Sequence, residues 1–261
     1  MELFEVNSRI YTSDDLASAI KELGIEKGDM ICVHSNFTQF GKILPRKNEF
    51  LSVLIDIFKE LVGDEGTILV PTFTYSFCRG LCFDKKHSKT SMGALGEYFR
   101  KENGVYRNDD PIFSHAIWGA KTELFKTEFR ECFGKNSAFD IMYENNAKFI
   151  MLGLGAEGFT FYMYIEQNIG VSYRYLKKFI GQIIDENGAK KESEILYFVR
   201  NLDMNPIPDR EKRLNFMIAN QAAKKTDFGA SNIVLIDARK SFEVLSKKLK
   251  EDEKYFLKES K

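Results

Sequence analysis

Residues 149–166, FIMLGLGAEGFTFYMYIE, combine a short apolar run, a turn with three glycines, and an aromatic segment that ends on a carboxylate. The apolar run is typical of a buried strand, and the segment after the glycines has the composition of a helix packed against a sheet. α/β proteins bind ligands in the crevice where parallel strands end. The stretch therefore predicts an α/β sheet whose functional groups lie within residues 158–166.

The chain before this stretch alternates between apolar runs of strand length and amphipathic segments of helix length. Strands are predicted at residues 29–35, 67–77 and 114–120, and helices at residues 12–24, 48–63, 91–107 and 138–146. Thr12 or Ser13 is a typical helix N-cap, and Gly24 is a typical C-terminal stop. This alternation predicts a three-layer α/β/α fold with a mixed sheet.

The pattern changes after residue 170. Two strands within residues 179–200 are predicted to form a hairpin, because Asn187 and Gly188 favour a tight turn between them. A helix over residues 210–229, a strand over 232–239 and a closing helix over 240–256 complete the chain. We expect one domain over residues 1–261, with a core in 1–170 and a smaller C-terminal α+β lobe in 171–261 that continues the main sheet.

Composition limits the function. The 261 residues are 44% hydrophobic and carry no formal net charge, so a large core is expected and a nucleic-acid binder is not. The N-terminus lacks a signal-peptide pattern and no apolar run is long enough to span a bilayer, which predicts a cytoplasmic protein. Cys78 and Cys82 have a C-x3-C spacing without further ligands, so no metal site is expected.

Seven segments, in order along the chain, resemble one family. They are VHSNFTQFG (33–41), LVPTFTY (69–75), FDKKHSKTSMGALGEYFR (83–100), GVYRNDDPIFSHAIWG (104–119), FIMLGLG (149–155), TFYMYIEQNIGVSYRYLKKFIG (160–181) and VLIDARKSFE (234–243). Together they are similar to the aminoglycoside 3-N-acetyltransferase family. The resemblance implies acetyl-coenzyme A (acetyl-CoA) as co-substrate, a primary amine as acceptor, and residues 1–170 as the coenzyme A-binding core. DPIFS and YRYLKKFIG resemble members that act on surface-glycan amino sugars.

The resemblance implies two groups of cofactor-binding residues. One is the start of the helix at Ser91, Met92, Gly93 and Ala94, where free backbone N–H groups suit a pyrophosphate. The other comprises His34, Ser35 and Asn36 at the end of the first strand, with Ser114 on a further strand. Without the resemblance, Ser91 reads as an ordinary N-cap and His34 as a hydrogen-bonded structural histidine.

The family pattern for the catalytic base is Thr-x-x-His-x-x-Glu, in which the glutamate holds the imidazole. Thr160 and Glu166 match this pattern, but Met163 occupies the histidine position. A thioether cannot accept the amine proton. Three explanations compete: His115 or Glu166 itself acts as the base, the acceptor needs no base, or the chain binds coenzyme A without turnover. His115 is equally interpretable as a core histidine.

Four further residues are candidates for acceptor binding. Asp84 can attract a cationic amine, Tyr162 and Tyr164 can contact a sugar, and Arg174 can pair with a phosphate. Each also has a structural interpretation, as a turn residue, a packing residue or a surface charge. The leading hypothesis is N-acetylation of a nucleotide-linked amino sugar for surface-glycan synthesis; the alternatives are aminoglycoside acetylation and a non-catalytic homologue. The expected partner is thus a small-molecule amine, with an oligomer possible.

Overall fold

A computed structural model of the protein describes residues 1–258. Its centre is a seven-stranded sheet formed by β3 (Met30–Ser35), β5 (Thr67–Pro71), β7 (Tyr106–Arg107), β8 (His115–Gly119), β9 (Lys148–Leu152), β12 (Ala223–Phe228) and β13 (Ser231–Asp237). The strands lie in the order β12-β13-β9-β3-β5-β8-β7. The three central strands, β9, β3 and β5, are parallel, and the outer pairings are antiparallel, so the sheet is mixed as predicted.

Seven helices lie among the described residues. They are α1 (Ser13–Leu23), α2 (Lys47–Val62), α3 (Ala94–Phe99), α4 (Ala138–Glu144), α5 (Tyr162–Ile169), α6 (Arg210–Ala219) and α7 (Ala238–Glu251). None of them is long and apolar enough to cross a membrane. The predicted caps of α1 are confirmed, because the Thr12 side chain accepts from the backbone N–H of Asp15 and Gly24 adopts φ 113°.

The two faces of the sheet bury separate apolar clusters, which makes the predicted three layers. Successive side chains of a strand point to opposite faces. Ile31 and Val33 of β3 therefore pack with α1, α2 and α3, while Met30 and Cys32 pack with α4, α5, α6 and α7. The central strands are buried on both sides, as parallel strands usually are.

Two smaller sheets flank this core. One is formed by β1 (Glu2–Val6), β2 (Arg9–Thr12) and β4 (Lys42–Ile43), and the other by β6 (Phe83–Asp84), β10 (Arg174–Ile184) and β11 (Lys190–Arg200). The predicted hairpin turn is confirmed, with Gly188 at φ 85° and Asp185 accepting from two backbone N–H groups of the turn. The β1–β2 hairpin was not predicted, although Asn7 and Ser8 adopt the positive φ values of its turn.

Two predicted helices are wrong in extent. The helix over residues 210–229 ends at Ala219, and residues 223–228 form β12 instead. Pairing with β13 around Gly229, which adopts φ 58°, overrides the local preference for helix. The helix predicted over residues 91–107 covers only Ala94–Phe99, because a turn at Gly104 leads into edge strand β7.

Candidate active site

A cavity of about 290 Å3 opens at the carboxyl ends of β3 and β5. Its polar lining consists of His34, Ser35, Asn36 and Ser91, and its apolar lining includes Val33, Val70, Met92, Leu95 and Leu154. Gly158, from the loop after β9, completes the wall. The structure therefore brings together most of the residues that the resemblance implies for cofactor binding, at the ligand position typical of an α/β sheet.

His34 is the titratable side chain in this cavity wall. It is only 7% exposed, and burial lowers its pKa to about 4, so the imidazole is neutral near pH 7. Its Nε2 lies 3.6 Å from the Sγ of Cys32, two residues earlier on β3. Its Nδ1 faces Gly158, whose missing Cβ would lie 3.9 Å from that nitrogen.

The segment before α3 is held by backbone contacts. The Oγ and the N–H of Ser91 both donate to the carbonyl of Phe73, and the N–H of Met92 donates to the Oγ1 of Thr90. Gly93, at φ 92°, is the N-cap residue, with no side-chain cap, and the helix itself is short. Ala94 is its first residue. The hydroxyl of Ser91 is therefore committed to Phe73 rather than to capping.

Ser114 belongs to a different, buried network. Its Oγ donates to the carbonyl of Thr72 at 2.8 Å and accepts from the Nε of Arg107 at 3.2 Å. Arg107 also donates to the carbonyls of Lys85 and Ser88, which fixes the loop before α3. Ser114 does not line the cavity, so the structure gives it a supporting position behind the site.

The Thr160-x-x-Met163-x-x-Glu166 pattern spans the loop and the start of α5. The Oγ1 of Thr160 donates to the carbonyl of Gly158, and the N–H of Met163 donates to the carbonyl of Thr160. Met163 is half-buried, and its Sδ lies 3.9 Å from the hydroxyl of Tyr197 on β11. The pattern therefore begins directly beside the cavity wall and continues towards the β10–β11 hairpin.

Glu166 is 1% exposed and already has two partners. Tyr173 donates its hydroxyl to Oε1 at 2.9 Å, and the Nε of Arg174 lies 2.8 Å from Oε2, an ion-pair distance without the alignment of a hydrogen bond. Burial raises the pKa of Glu166, while Arg174, Tyr173 and the more distant Arg213 oppose that rise. The charge of the carboxylate that would hold an imidazole is thus balanced by the guanidinium of Arg174.

His115 lies in the apolar core, on strand β8. Its ring stands edge-on between Phe73 and Phe139, with centroids 5.3 Å away in each case. It is 0% exposed, and neither ring nitrogen has a hydrogen-bond partner within residues 1–258. Burial, helped by the nearby His34, lowers its pKa to about 3. It is not among the residues that line the cavity, so its position matches the core-histidine interpretation.

The candidate acceptor residues mostly have structural partners. Asp84 accepts from the backbone of Lys86 and from the ring and backbone of His87, and Tyr164 donates to Asp140 at 2.7 Å. Tyr162 is buried beneath the guanidinium of Arg213, which lies 4.1 Å from its ring centroid. Arg174 is the partner of Glu166. The structure therefore does not gather these four residues around one opening.

Sequence reasoning missed an aromatic row that leads to Met163. Ring centroids lie 5.4 Å apart between Tyr75 and Phe113, and 5.0 Å apart between Phe113 and Tyr197. Tyr75 has φ 55°, a strained conformation for a bulky residue and one that often marks functional sites. The one sequence signal was the polar run TYS that follows the buried strand β5.

A larger cavity, about 750 Å3, lies at the sheet edge formed by β7 and β8. Lys85 in its wall is ion-paired with Asp109 at 2.7 Å and with Glu186 at 2.8 Å. None of the predicted site residues lines this cavity. No cluster of three or more metal-ligating side chains occurs in the described part of the chain.

The layered sheet and the cavity at its parallel strand ends define a ligand-binding α/β protein. The profile of the aminoglycoside 3-N-acetyltransferase family matches residues 32–250. The chain therefore belongs to that family, and the predicted resemblance is confirmed.

Individual relatives are distant. The chain is 22% identical over 182 residues to the SPbeta prophage-derived aminoglycoside N(3')-acetyltransferase-like protein YokD of Bacillus subtilis (strain 168). This match covers 60% of the chain and 65% of the relative, which is less than two thirds of its length.

Solved structures match over nearly the whole chain. AAC-IIIb in a binary complex with CoASH has a TM-score of 0.76 at 21% identity, covering 96% of this chain and 99% of that one. AAC-VIa bound to sisomicin has a TM-score of 0.78 at 20% identity, covering 92% and 98%. At such identities these likenesses establish the fold, and they confirm the predicted α/β class.

Proposed function

We propose that the protein is an acetyl-CoA-dependent N-acetyltransferase that acylates a primary amine of an amino-sugar compound. The observation that carries the proposal is the cavity of about 290 Å3, which the loop leading to Thr160, Met163 and Glu166 closes. Pockets for whole drug-sized ligands measure about 300–1,000 Å3. The cavity therefore suits the thioester arm of acetyl-CoA. Gly158 supports this fit, because a side chain there would project towards His34.

An aminoglycoside is the better-supported acceptor. The family carries that activity in its name, and a similar structure holds sisomicin. The surface-glycan role inferred from the sequence has no such support among these comparisons, so it takes second place.

A phosphate-bearing amino sugar remains the second candidate because of the charges near Tyr197. Burial raises the pKa of Tyr197, and the neighbouring Cys78 adds to that rise. Burial and Asp110 raise the pKa of Cys78, whereas Lys177 and Arg79 lower it. The acid here is buried, and burial raises the pKa of Asp110 to about 6. Two cations beside one buried acid leave an excess of positive charge, which favours an anionic acceptor over a polycation.

The chemistry requires a neutral amine, because an ammonium has no lone pair. Amines with a pKa of about 8–10 are mostly protonated at neutral pH, and a positioned base contributes about 10² to 10⁴ in rate. Met163 cannot be that base, and Glu166 is bound by Arg174 and Tyr173. These residues therefore leave positioning of the two substrates as the main contribution of the site.

The experiment combines calorimetry of acetyl-CoA binding with a thiol-release assay on aminoglycosides and nucleotide-linked amino sugars. We expect micromolar binding and slow turnover whose kcat/KM rises about tenfold per pH unit below the amine pKa. Gly158→Ala should raise the KM for acetyl-CoA, since its methyl would lie 3.1 Å from the Cε of Met151. Gly155→Ala is the matched control, because Gly155 also has positive φ but nothing within 4 Å of its missing Cβ.

Two outcomes count against the proposal. Absence of acetyl-CoA binding would overturn it entirely. Binding without turnover of any amine would favour the non-catalytic interpretation, for which the methionine at position 163 is the specific observation. A cytoplasmic location and the division into a core (1–170) and a lobe (171–261) belong to the same proposal and are tested by cell fractionation and limited proteolysis.

A further inference from the structure

His34 lies in the wall of the cavity in which acetyl-CoA is proposed to bind. It lies at the carboxyl end of β3, lines the cavity, and has an Nδ1 that faces Gly158. Nε2 has the Cys32 thiol at 3.6 Å, whereas Nδ1 takes part in no hydrogen bond among residues 1–258. One ring nitrogen thus contacts the core, and the other faces the loop at Gly158 in the wall of the cavity.

The Cys32 contact determines which nitrogen carries the hydrogen. Burial raises the pKa of the Cys32 thiol well above its usual range, so the sulfur keeps its proton. A thiol is a weak acceptor, whereas the lone pair of imidazole accepts readily. The contact therefore favours the tautomer in which the S–H of Cys32 donates to Nε2 of His34 and the single hydrogen of the neutral ring is on Nδ1.

We propose that His34 donates its Nδ1–H to the carbonyl oxygen of the bound thioester and stabilises the negative charge that develops there. This inference rests on the proposed acetyltransferase function. In the reaction the amine nitrogen forms a bond to the acetyl carbon, the carbon–sulfur bond breaks, and the proton lost by the amine ends on the thiolate or in solvent. His34 gives up no proton and returns unchanged.

A neutral donor suits this role. A preorganised donor in a water-poor site is typically worth about 10² to 10³ in kcat. The role also explains how a site with methionine at position 163 retains a stabilising group. Cys32 acts through His34 as a positioning residue, since it selects the tautomer without touching the substrate.

The first test reads the tautomer directly. The chain has three histidines, so 15N-edited imidazole spectra are simple to assign with the His34→Asn variant. We expect the Nδ1–H form for His34 in the wild type and a shift towards the Nε2–H form in Cys32→Ala. Cys32→Ser, which keeps a donor, should restore the wild-type pattern. Cys132→Ala, which removes another buried thiol, should leave it unchanged.

The second test uses ligands and kinetics. Acetyl-CoA should shift the Nδ1–H resonance of His34 strongly, whereas CoA, which lacks the thioester carbonyl, should shift it much less. His34→Ala should lower kcat about 10²-fold or more with little change in acetyl-CoA affinity. His34→Asn should recover at least tenfold of that loss, because an amide donates from nearly the same place but cannot act as a base.

An Nε2–H tautomer, an identical response to CoA and acetyl-CoA, or full activity in His34→Ala would overturn the inference. If the wild type turns over no amine, the proposed function fails, while the spectra still show whether Nδ1–H of His34 donates to the bound thioester.

Discussion

At the scale of single residues, the pairing of Glu166 is the most informative contact. A carboxylate that is 1% exposed requires a counter-charge, and Arg174 supplies it from the first position of β10. Gly170, at φ 75°, ends α5 and turns the chain so that Tyr173 and Arg174 return beneath the helix. A side chain of β10 therefore pairs with the carboxylate that, in the family pattern, holds the catalytic histidine.

This pairing sets the outcome of restoring a histidine. Met163→His alone should raise kcat less than tenfold, because Glu166 is held by Arg174. Met163→His combined with Arg174→Met frees the carboxylate for the new ring, and we expect a gain of about 10² or more over wild type. Arg174→Met alone is the control and should give no gain. Steady-state rates at saturating acetyl-CoA measure the effect; a single variant as fast as the double would contradict it.

Buried His115 should make the fold sensitive to acid. Its folded-state pKa, about 3, lies below the unfolded value of 6.5, so the unfolded chain binds the extra proton between these values. The contribution of neutral His115 to the free energy of unfolding is fully present above pH 6.5 and decreases as the pH drops towards 3. At pH 5 the free energy of unfolding has fallen by about 2 kcal/mol. His115→Phe should remove this pH-dependent loss of unfolding free energy. The similar effect of His34 and the opposite effect of Asp110 remain in both proteins.

Urea unfolding of wild type and His115→Phe at pH 7 and pH 5 measures the difference. An equal loss of unfolding free energy in the two proteins would show that His115 is not buried in its neutral form.

Thr160, Met163 and Glu166 could be placed on one segment from the sequence because the pattern is local. It did not predict that Arg174 would satisfy Glu166, since that contact depends on the chain reversal at Gly170 and on where β10 starts. The neighbourhood of His34 is different, because its partner Cys32 lies two residues away on the same strand face. The apolar run and the alternation of a strand predict both that contact and the burial of Cys32.

At the scale of elements, the loop of residues 153–158 joins β9 to the site. Gly153 adopts φ 67°, and its missing Cβ would lie 2.4 Å from the backbone oxygen of Asn36. The close approach brings the end of β9 against the end of β3, where the N–H of Asn36 donates to the carbonyl of Leu152. No side chain can enter this space without moving backbone.

Gly153→Ala and Gly155→Ala separate the two costs of a substitution in this loop. Both residues have positive φ, so each alanine costs about 1–2 kcal/mol in backbone strain. Only Gly153→Ala meets a backbone atom, which we expect to add about 1–3 kcal/mol. Chemical denaturation of the pair provides the measurement. Equal destabilisation would mean that Asn36 moves freely.

Elements with strong local signals were predicted best. The caps of α1, the apolar runs of β3, β5, β8 and β9, and the turn at Asn187 and Gly188 all follow from local residue preferences. β12 was predicted as helix because its sequence, AKKTDF, has no strong strand character. Its pairing with β13 decides its structure, and pairing between strands is a tertiary property.

At the scale of the molecule, residues 252–258, which follow α7, pack against α5. Phe256 is fully buried, and its ring lies edge-on to Tyr162 with centroids 6.3 Å apart. The segment is fixed by the N–H of Asp209, which donates to the carbonyl of Phe256, and by the N–H of Lys258, which donates to that of Ile207.

Phe256→Ala should destabilise the protein by about 3–5 kcal/mol, since it leaves a cavity under α5. We also expect a raised KM for the acceptor, because Met163 is on the same helix. Phe256→Leu is the conservative control and should cost much less. Thermal unfolding and steady-state kinetics together test this coupling; a destabilised variant with unchanged kinetics would separate the two effects.

The position of β3 between β5 and β9 has a consequence for how the protein folds. Ile31 of β3 pairs with Lys148 of β9, so the parallel centre of the sheet joins distant parts of the chain. Such pairings form slowly, because closure of a long loop precedes any gain from the contact. The cavity cannot exist until that register is complete. Amide hydrogens of β3 should therefore exchange only through global unfolding, and a bound ligand should slow their exchange by the same factor as it stabilises the whole chain.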